Sequence, residues 1–155
     1  CSLKDLGSIL SDAILESSKT IIMIGGFVVI FSVIISILKT SKVLQLISYS
    51  LYPILDVLKI DSIFSIPIIS GILELTNGIS LVTSTSTKTI STNIILCAFL
   101  LGFGGLSVLL QVLSIASKSD LSIKKYIYGK VLQGIIAAIY TYILITLLPM
   151  FNLNL

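Results

Sequence analysis

A chain of 155 residues with 55% apolar residues, 11% charged residues and a mean hydropathy of +1.14 does not have the composition of a soluble domain, in which about 25% of residues are charged. Its apolar residues gather into runs long enough to enter or cross the hydrocarbon layer, so an integral membrane protein is expected and most soluble enzyme classes are excluded. There is no histidine, the two cysteines are Cys1 and Cys97, and the net charge of +3 is spread along the chain; neither a zinc site, a disulfide framework nor nucleic-acid binding has support.

Cys1 stands first and no methionine precedes Met23, so an incomplete, processed or dissected chain is expected. Residues 1 to 19 hold Asp5, Asp12 and Glu16 and lack the apolar core of a secretory signal. Leu3, Leu6, Leu10, Ala13 and Ile14 fall at helical spacing and predict an interfacial helix over about residues 3–18. A span follows at about residues 20–38, ended by Lys39, with Gly25, Ser32 and Ser36 near one face in a close-packing pattern. Over about residues 42–60, Lys42, Gln45, Tyr49, Tyr52, Asp56 and Lys59 recur at three- and four-residue steps. That spacing predicts an amphipathic helix bent at Pro53, lying at headgroup level or on the outside of a bundle.

The apolar stretch at about residues 63–83 is interrupted by Pro67, Gly71, Glu74, Thr76, Asn77 and Gly78, and it either crosses or enters and leaves on one side. Small hydroxyl residues surround Lys88, and two further spans are predicted at about residues 94–116 and 131–151, joined by a lysine-rich loop over 117–130. If all four stretches cross, the loop at 117–130 faces the cytoplasm; if 63–83 is re-entrant, the two sides carry equal charge and the positive-inside rule does not orient the chain. Together these elements predict an all-α, polytopic membrane helical bundle with broken or re-entrant helices, a single domain over residues 1–155.

Glu74 is the acid deep in a span, where ionised side chains cost roughly 2.5–3.5 kcal/mol on insertion scales. Asn77 shares its helical face, and Gly71 and Gly78 permit a break there, tolerable at membrane depth where the freed backbone lines a cavity or binds something. The alternative is a Glu74 carboxyl held between helices by Asn77 and a lysine. Gly102, Gly104 and Gly105 predict either a broken or a closely packed helix. A half-helix starting near Leu106 would turn its positive end toward a carboxylate or other anion.

Ser107, Gln111, Ser114 and Lys118 form a polar stripe, readable as a wetted path, and Lys130, Gln133, Gly134, Ala137 and Thr141 make a comparable face. Gln111 and Gln133 paired between helices is the plainer reading. No serine or cysteine has an identifiable base partner, so catalysis is disfavoured. The candidate solute- or ion-binding residues are therefore Glu74, Thr76, Asn77, Gly78, Gly102, Gly104, Gly105, Ser107, Gln111 and Gln133, arranged for translocation of a polar solute across a lipid bilayer.

Ser70-Gly-Ile-Leu-Glu-Leu-Thr-Asn-Gly78 and Leu101-Gly-Phe-Gly-Gly-Leu-Ser-Val108, with Gln111-Val-Leu-Ser114, Lys130-Val-Leu-Gln-Gly134 and Met23-Ile-Gly-Gly-Phe27, resemble the YlbJ/SpoVV-type sporulation integral membrane proteins of the nucleoside-recognition or Gate superfamily. The resemblance covers essentially the whole chain. Family members are longer, which implies that this chain corresponds to the C-terminal half, one repeat of a transporter-like Gate fold, with the N-terminal half as its partner. The resemblance also implies transport of dipicolinic acid across the outer forespore membrane, with no cofactor. Glu74, Thr76 and Asn77 match one polar break and Gly102 to Gly105 the other. A dicarboxylate suits half-helix N-termini and lysine, whereas a Glu74 carboxylate repels it unless protonated or bound to a cation. A nucleoside or other small-solute transporter, and a non-transporting sporulation assembly protein, stay open as alternatives.

Overall fold

The computed structural model describes residues 3–86, 90–116 and 122–147, and all regular structure within them is helical. Helix α1 (Leu3–Thr40) runs 38 residues without interruption, so the amphipathic start and the first span form one rod. No proline interrupts it, and at the junction Lys19 pairs with Glu16 at 3.0 Å while the Thr20 hydroxyl donates to the Glu16 carbonyl at 2.9 Å. Its packed face is built from Phe31 and Ile35, the latter against Leu44 and Ile69. Of the small-residue face, Ser32 meets the hairpin, accepting from Asn77 Nδ2 at 2.7 Å, whereas a Cβ at Gly25 would meet no atom within 4 Å and Ser36 is exposed. Phe31 and Ile35 supply the buried apolar side chains of this helix beside it.

The segment after α1 forms two short helices, α2 (Val43–Tyr49) and α3 (Tyr52–Val57), rather than one bent helix. A continuous helix would need an N–H from Pro53 to the Tyr49 carbonyl; placed in the first turn of α3, the proline lacks only a donor that would be unpaired anyway. Leu44, Ser48 and Leu55 turn inward, while Leu46, Ile54, Val57 and Leu58 stay exposed. The Asp61 carboxylate then accepts from the Ile63 N–H at 3.0 Å, starting a 3-10 turn (Ser62–Phe64) that runs into the next helix.

Helices α4 (Ser65–Leu73) and α5 (Leu75–Ser84) have nine and ten residues, each only about 15 Å long and about half a hydrocarbon core. The backbones of Gly71 and Gly78 touch, although seven residues of continuous helix would separate them by about 10.5 Å. The chain therefore doubles back at residue 74. Residues 63–83 make a helical hairpin, and with that topology the positive-inside rule gives no orientation. Asn93 holds the far end of α5, its Nδ2 donating to the carbonyls of Val82 at 2.7 Å and Thr85 at 3.0 Å. Lys88 lies outside the described residues.

Helices α6 (Ile90–Phe103) and α7 (Gly105–Ala116) are separated only by Gly104. They make almost no contact with each other, so this pair continues onward as one broken span. Helix α8 (Ile123–Leu147) begins inside the stretch predicted as a loop, and Lys124, Lys125 and Lys130 all lie on it. Lys118, the end of the predicted stripe, and the last part of the predicted final span lie outside the described residues. Along α6, α8 comes into backbone contact: a Cβ on Gly102 would stand 2.8 Å from the Gly134 Cα.

Among the described residues, three segments are long and apolar enough to cross a membrane, Leu6–Thr40, Ile90–Ser114 and Ile123–Leu147. The hairpin is wedged among them, and the core lies where it meets α3 and α6, with Leu55, Phe64, Ile68, Val82, Leu96 and Leu100 in one cluster. Ile21, Ile22, Val29, Ile136 and Ile139 are exposed, an arrangement that is stable facing lipid and unstable facing water.

Candidate functional site

At the hairpin tip Glu74 is the one extended residue between two helices, with φ −145° and ψ 120°. Its side chain folds onto the start of α5 and accepts four hydrogen bonds. Oε1 takes the Thr76 N–H at 3.0 Å; Oε2 takes the Thr76 hydroxyl at 2.6 Å, the Asn77 N–H at 2.8 Å and Asn77 Nδ2 at 3.1 Å. Asn77 Nδ2 also donates to Ser32 Oγ on α1 at 2.7 Å, tying the tip to the long helix. Glu74 is 1% exposed. Hydrogen bonds to a charged group contribute about 1.5–3 kcal/mol each, and the α5 dipole adds to them. Four donors therefore converge on the Glu74 side chain at the start of α5. No lysine joins the set among the described residues, in contrast to the lysine-paired arrangement considered from the sequence.

The second break lies directly against the first. Gly104 and Gly105 have φ of +88° and +79°, the left-handed region that side chains rarely adopt. A Cβ on Gly105 would stand 3.0 Å from the Gly71 carbonyl oxygen, 3.2 Å from the Leu75 nitrogen and 3.6 Å from the Ile72 carbonyl oxygen. Both ways of using glycine are therefore present within four residues, Gly102 for packing on α8 and Gly104–Gly105 for the break.

Around this crossing Ser70, Ser107 and Gln111 are buried, and the hydroxyls of Ser70 and Ser107 have no hydrogen-bond partner among the described residues. One turn beyond Gln111, the Ser114 hydroxyl donates to the Gln111 carbonyl at 2.8 Å and also contacts the Met23 sulfur at 3.9 Å. Gln133 stands apart: its side chain is exposed and its Oε1 accepts from Lys130 Nζ at 3.1 Å, so the Gln111–Gln133 pair does not form. Lys130 Nζ reaches the Gly102 carbonyl at a long 3.5 Å, at the negative end of α6.

The structure thus gathers Glu74, Thr76, Asn77 and Gly78 on the hairpin, and Gly104, Gly105, Ser107 and Gln111 on the broken span. Gly102 and Gln133 lie on the α8 side. Ser32 and Ser70 join the site without having been among the candidate binding residues read from the sequence. Ser32 was concealed in the small-residue stripe of α1, and Ser70 in the apolar run before Glu74. No group of three acids or cysteines able to hold a metal occurs among the described residues.

Fold and crossing together define an integral membrane protein with two discontinuous helices meeting at their breaks. The chain belongs to the Gate family, described as nucleoside recognition, whose profile matches residues 21–119, a range that contains both breaks. Over 141 residues it is 35% identical to the sporulation integral membrane protein YlbJ of Bacillus subtilis (strain 168), an alignment covering 91% of this chain and 34% of the relative. The chain therefore spans about a third of that relative's length. No solved structure matches.

Proposed function

We propose that the chain forms the solute-handling part of a small-solute transporter of the bacterial cell membrane that acts in sporulation. In this reading the carried solute is dipicolinate and the membrane is the outer forespore membrane. In the same reading, sequence equivalent to the part of the relative that this chain does not span closes the site from the other side. The observation that carries the reading is the seating of Gly105 on the hairpin tip. It brings backbone ends of both broken helices and the buried hydroxyl residues to one place at membrane depth, where such backbone is tolerated when it lines a cavity or binds something. Glu74 acts there as a positioning group whose side chain starts α5.

A second reading, transport of a nucleoside or another small solute, draws on the family description of nucleoside recognition. Uptake into vesicles by the full-length protein separates the two. Saturable dipicolinate uptake that uridine does not inhibit, reduced at least tenfold in Glu74→Gln and Asn77→Ala at matched membrane abundance, is the expected result. Uridine uptake without dipicolinate uptake would replace the first reading by the second. Absence of uptake of either by correctly inserted protein would point to a non-transporting assembly role. If Glu74 carried protons, Glu74→Gln would abolish the pH dependence of uptake; a positioning role leaves that dependence in place.

A further inference from the structure

The two half-helices α5 and α7 begin alike but are satisfied differently. The residue before α5 is Glu74, and its carboxylate collects the N–H groups of the second and third helical residues, Thr76 and Asn77, together with Asn77 Nδ2. The residue before α7 is Gly104, which has no side chain; the second and third residues are Leu106 and Ser107. Among the described residues no side chain accepts from the first turn of α7. Ser107 occupies the place that Asn77 has in α5, it is 1% exposed, and its hydroxyl has no partner among the described residues.

We infer that the start of α7 is a carboxylate site, at which a ligand supplies the group that Glu74 supplies to α5. This rests on reading the crossing as a solute site, and it names the ligand class as a small compound bearing a carboxylate. The N–H groups of Leu106 and Ser107, the Ser107 hydroxyl and the positive end of a twelve-residue helix supply the donors. Lys130 supplies the counter-charge: its Nζ lies 4.0 Å from where a Gly104 Cβ would be. That position also meets the Val108 side chain at 3.7 Å, an ordinary contact distance. The ammonium donates to the Gly102 carbonyl and to Gln133 Oε1, so one of its three N–H groups remains for a ligand. Glu74 does not compete for these groups, because its oxygens are held by α5.

The test is equilibrium binding of dipicolinate, benzoate and the neutral isostere benzamide to the full-length protein in nanodiscs. Dipicolinate or benzoate should bind wild type with benzamide at least tenfold weaker. Lys130→Gln and Ser107→Ala should each raise the carboxylate Kd about tenfold or more, the scale of losing a hydrogen bond to a charged group. Lys130→Arg should restore binding, and Gly104→Asp, which places a carboxylate on the chain at that position, should abolish it. Failure of wild type to prefer carboxylates, or unchanged Kd values in both Lys130→Gln and Ser107→Ala, would overturn the inference while leaving a transporter of neutral solutes standing. Carboxylate binding that depends on both residues, in a protein that shows no vesicle uptake, would uphold the site and remove the transport reading.

Discussion

The hairpin tip and the α6–α7 break interrupt membrane-embedded helices a few ångströms apart, yet they solve the same problem oppositely. At the tip one extended residue turns the chain back, and that residue's own carboxylate satisfies the amides the turn sets free. At the second break two left-handed glycines redirect the chain while α6 stays held against α8, so the helix continues across. One break is self-sufficient and is bonded to α1; at the other, a buried hydroxyl has no partner and no side chain caps the helix start among the described residues. The contrast separates a structural part of the crossing from a part free to bind.

Substitution at Gly105 should break this arrangement most severely. Gly105→Ala combines left-handed backbone strain with a Cβ 3.0 Å from the Gly71 carbonyl, a backbone atom that has little room to yield. Strain and overpacking together should cost about 2–5 kcal/mol, read as a lower thermal midpoint in detergent and reduced membrane abundance. Glu74→Ala comes next. It removes the cap of α5 and leaves the Thr76 and Asn77 donors buried without an acceptor, a loss of about 2–4 kcal/mol. If Glu74→Ala proved neutral while Gly105→Ala unfolded the protein, the tip would not be self-sufficient and the contrast between the breaks would fail. Ser32→Ala deletes only the bond from Asn77 to α1, and Asn77 keeps Glu74 as a partner, so about 1 kcal/mol is expected.

Much of this contrast is readable from residue types alone. Polar residues in an apolar run mark residue 74, and three glycines in four positions mark the second break, because both are costly in a membrane helix unless used. Whether residues 63–83 cross or turn back is not readable, since either topology has the same hydropathy; the answer lies in a bare-backbone contact between Gly71 and Gly78. The start of α8 is hidden for a different reason. Lys124 and Lys125 look like loop residues, yet both are good helix formers and no proline opposes them. The spacing offers Gln133 to Gln111, but Lys130 stands three residues before it on the same helix face and donates to its oxygen. Local pairings of this kind prevail over distant ones without any change in composition.

The smallest predicted effect concerns a glycine outside both breaks. Gly25 lies in the middle of α1 with nothing within 4 Å of its Cβ position, unlike Gly105, whose Cβ position is crowded on one side by backbone. In a helix interior alanine is more stable than glycine by about 0.5–1 kcal/mol, so Gly25→Ala should raise the thermal midpoint slightly if that face of α1 meets only lipid or detergent. If the substitution instead lowers stability in the full-length protein, a second helix packs on Gly25 in the assembled molecule, and the small-residue stripe of Gly25 and Ser36 serves an intersegment contact. The sign of the change decides between these outcomes, so even a shift of a few tenths of a kcal/mol is informative when Ser32→Ala is measured beside it as a reference of known direction.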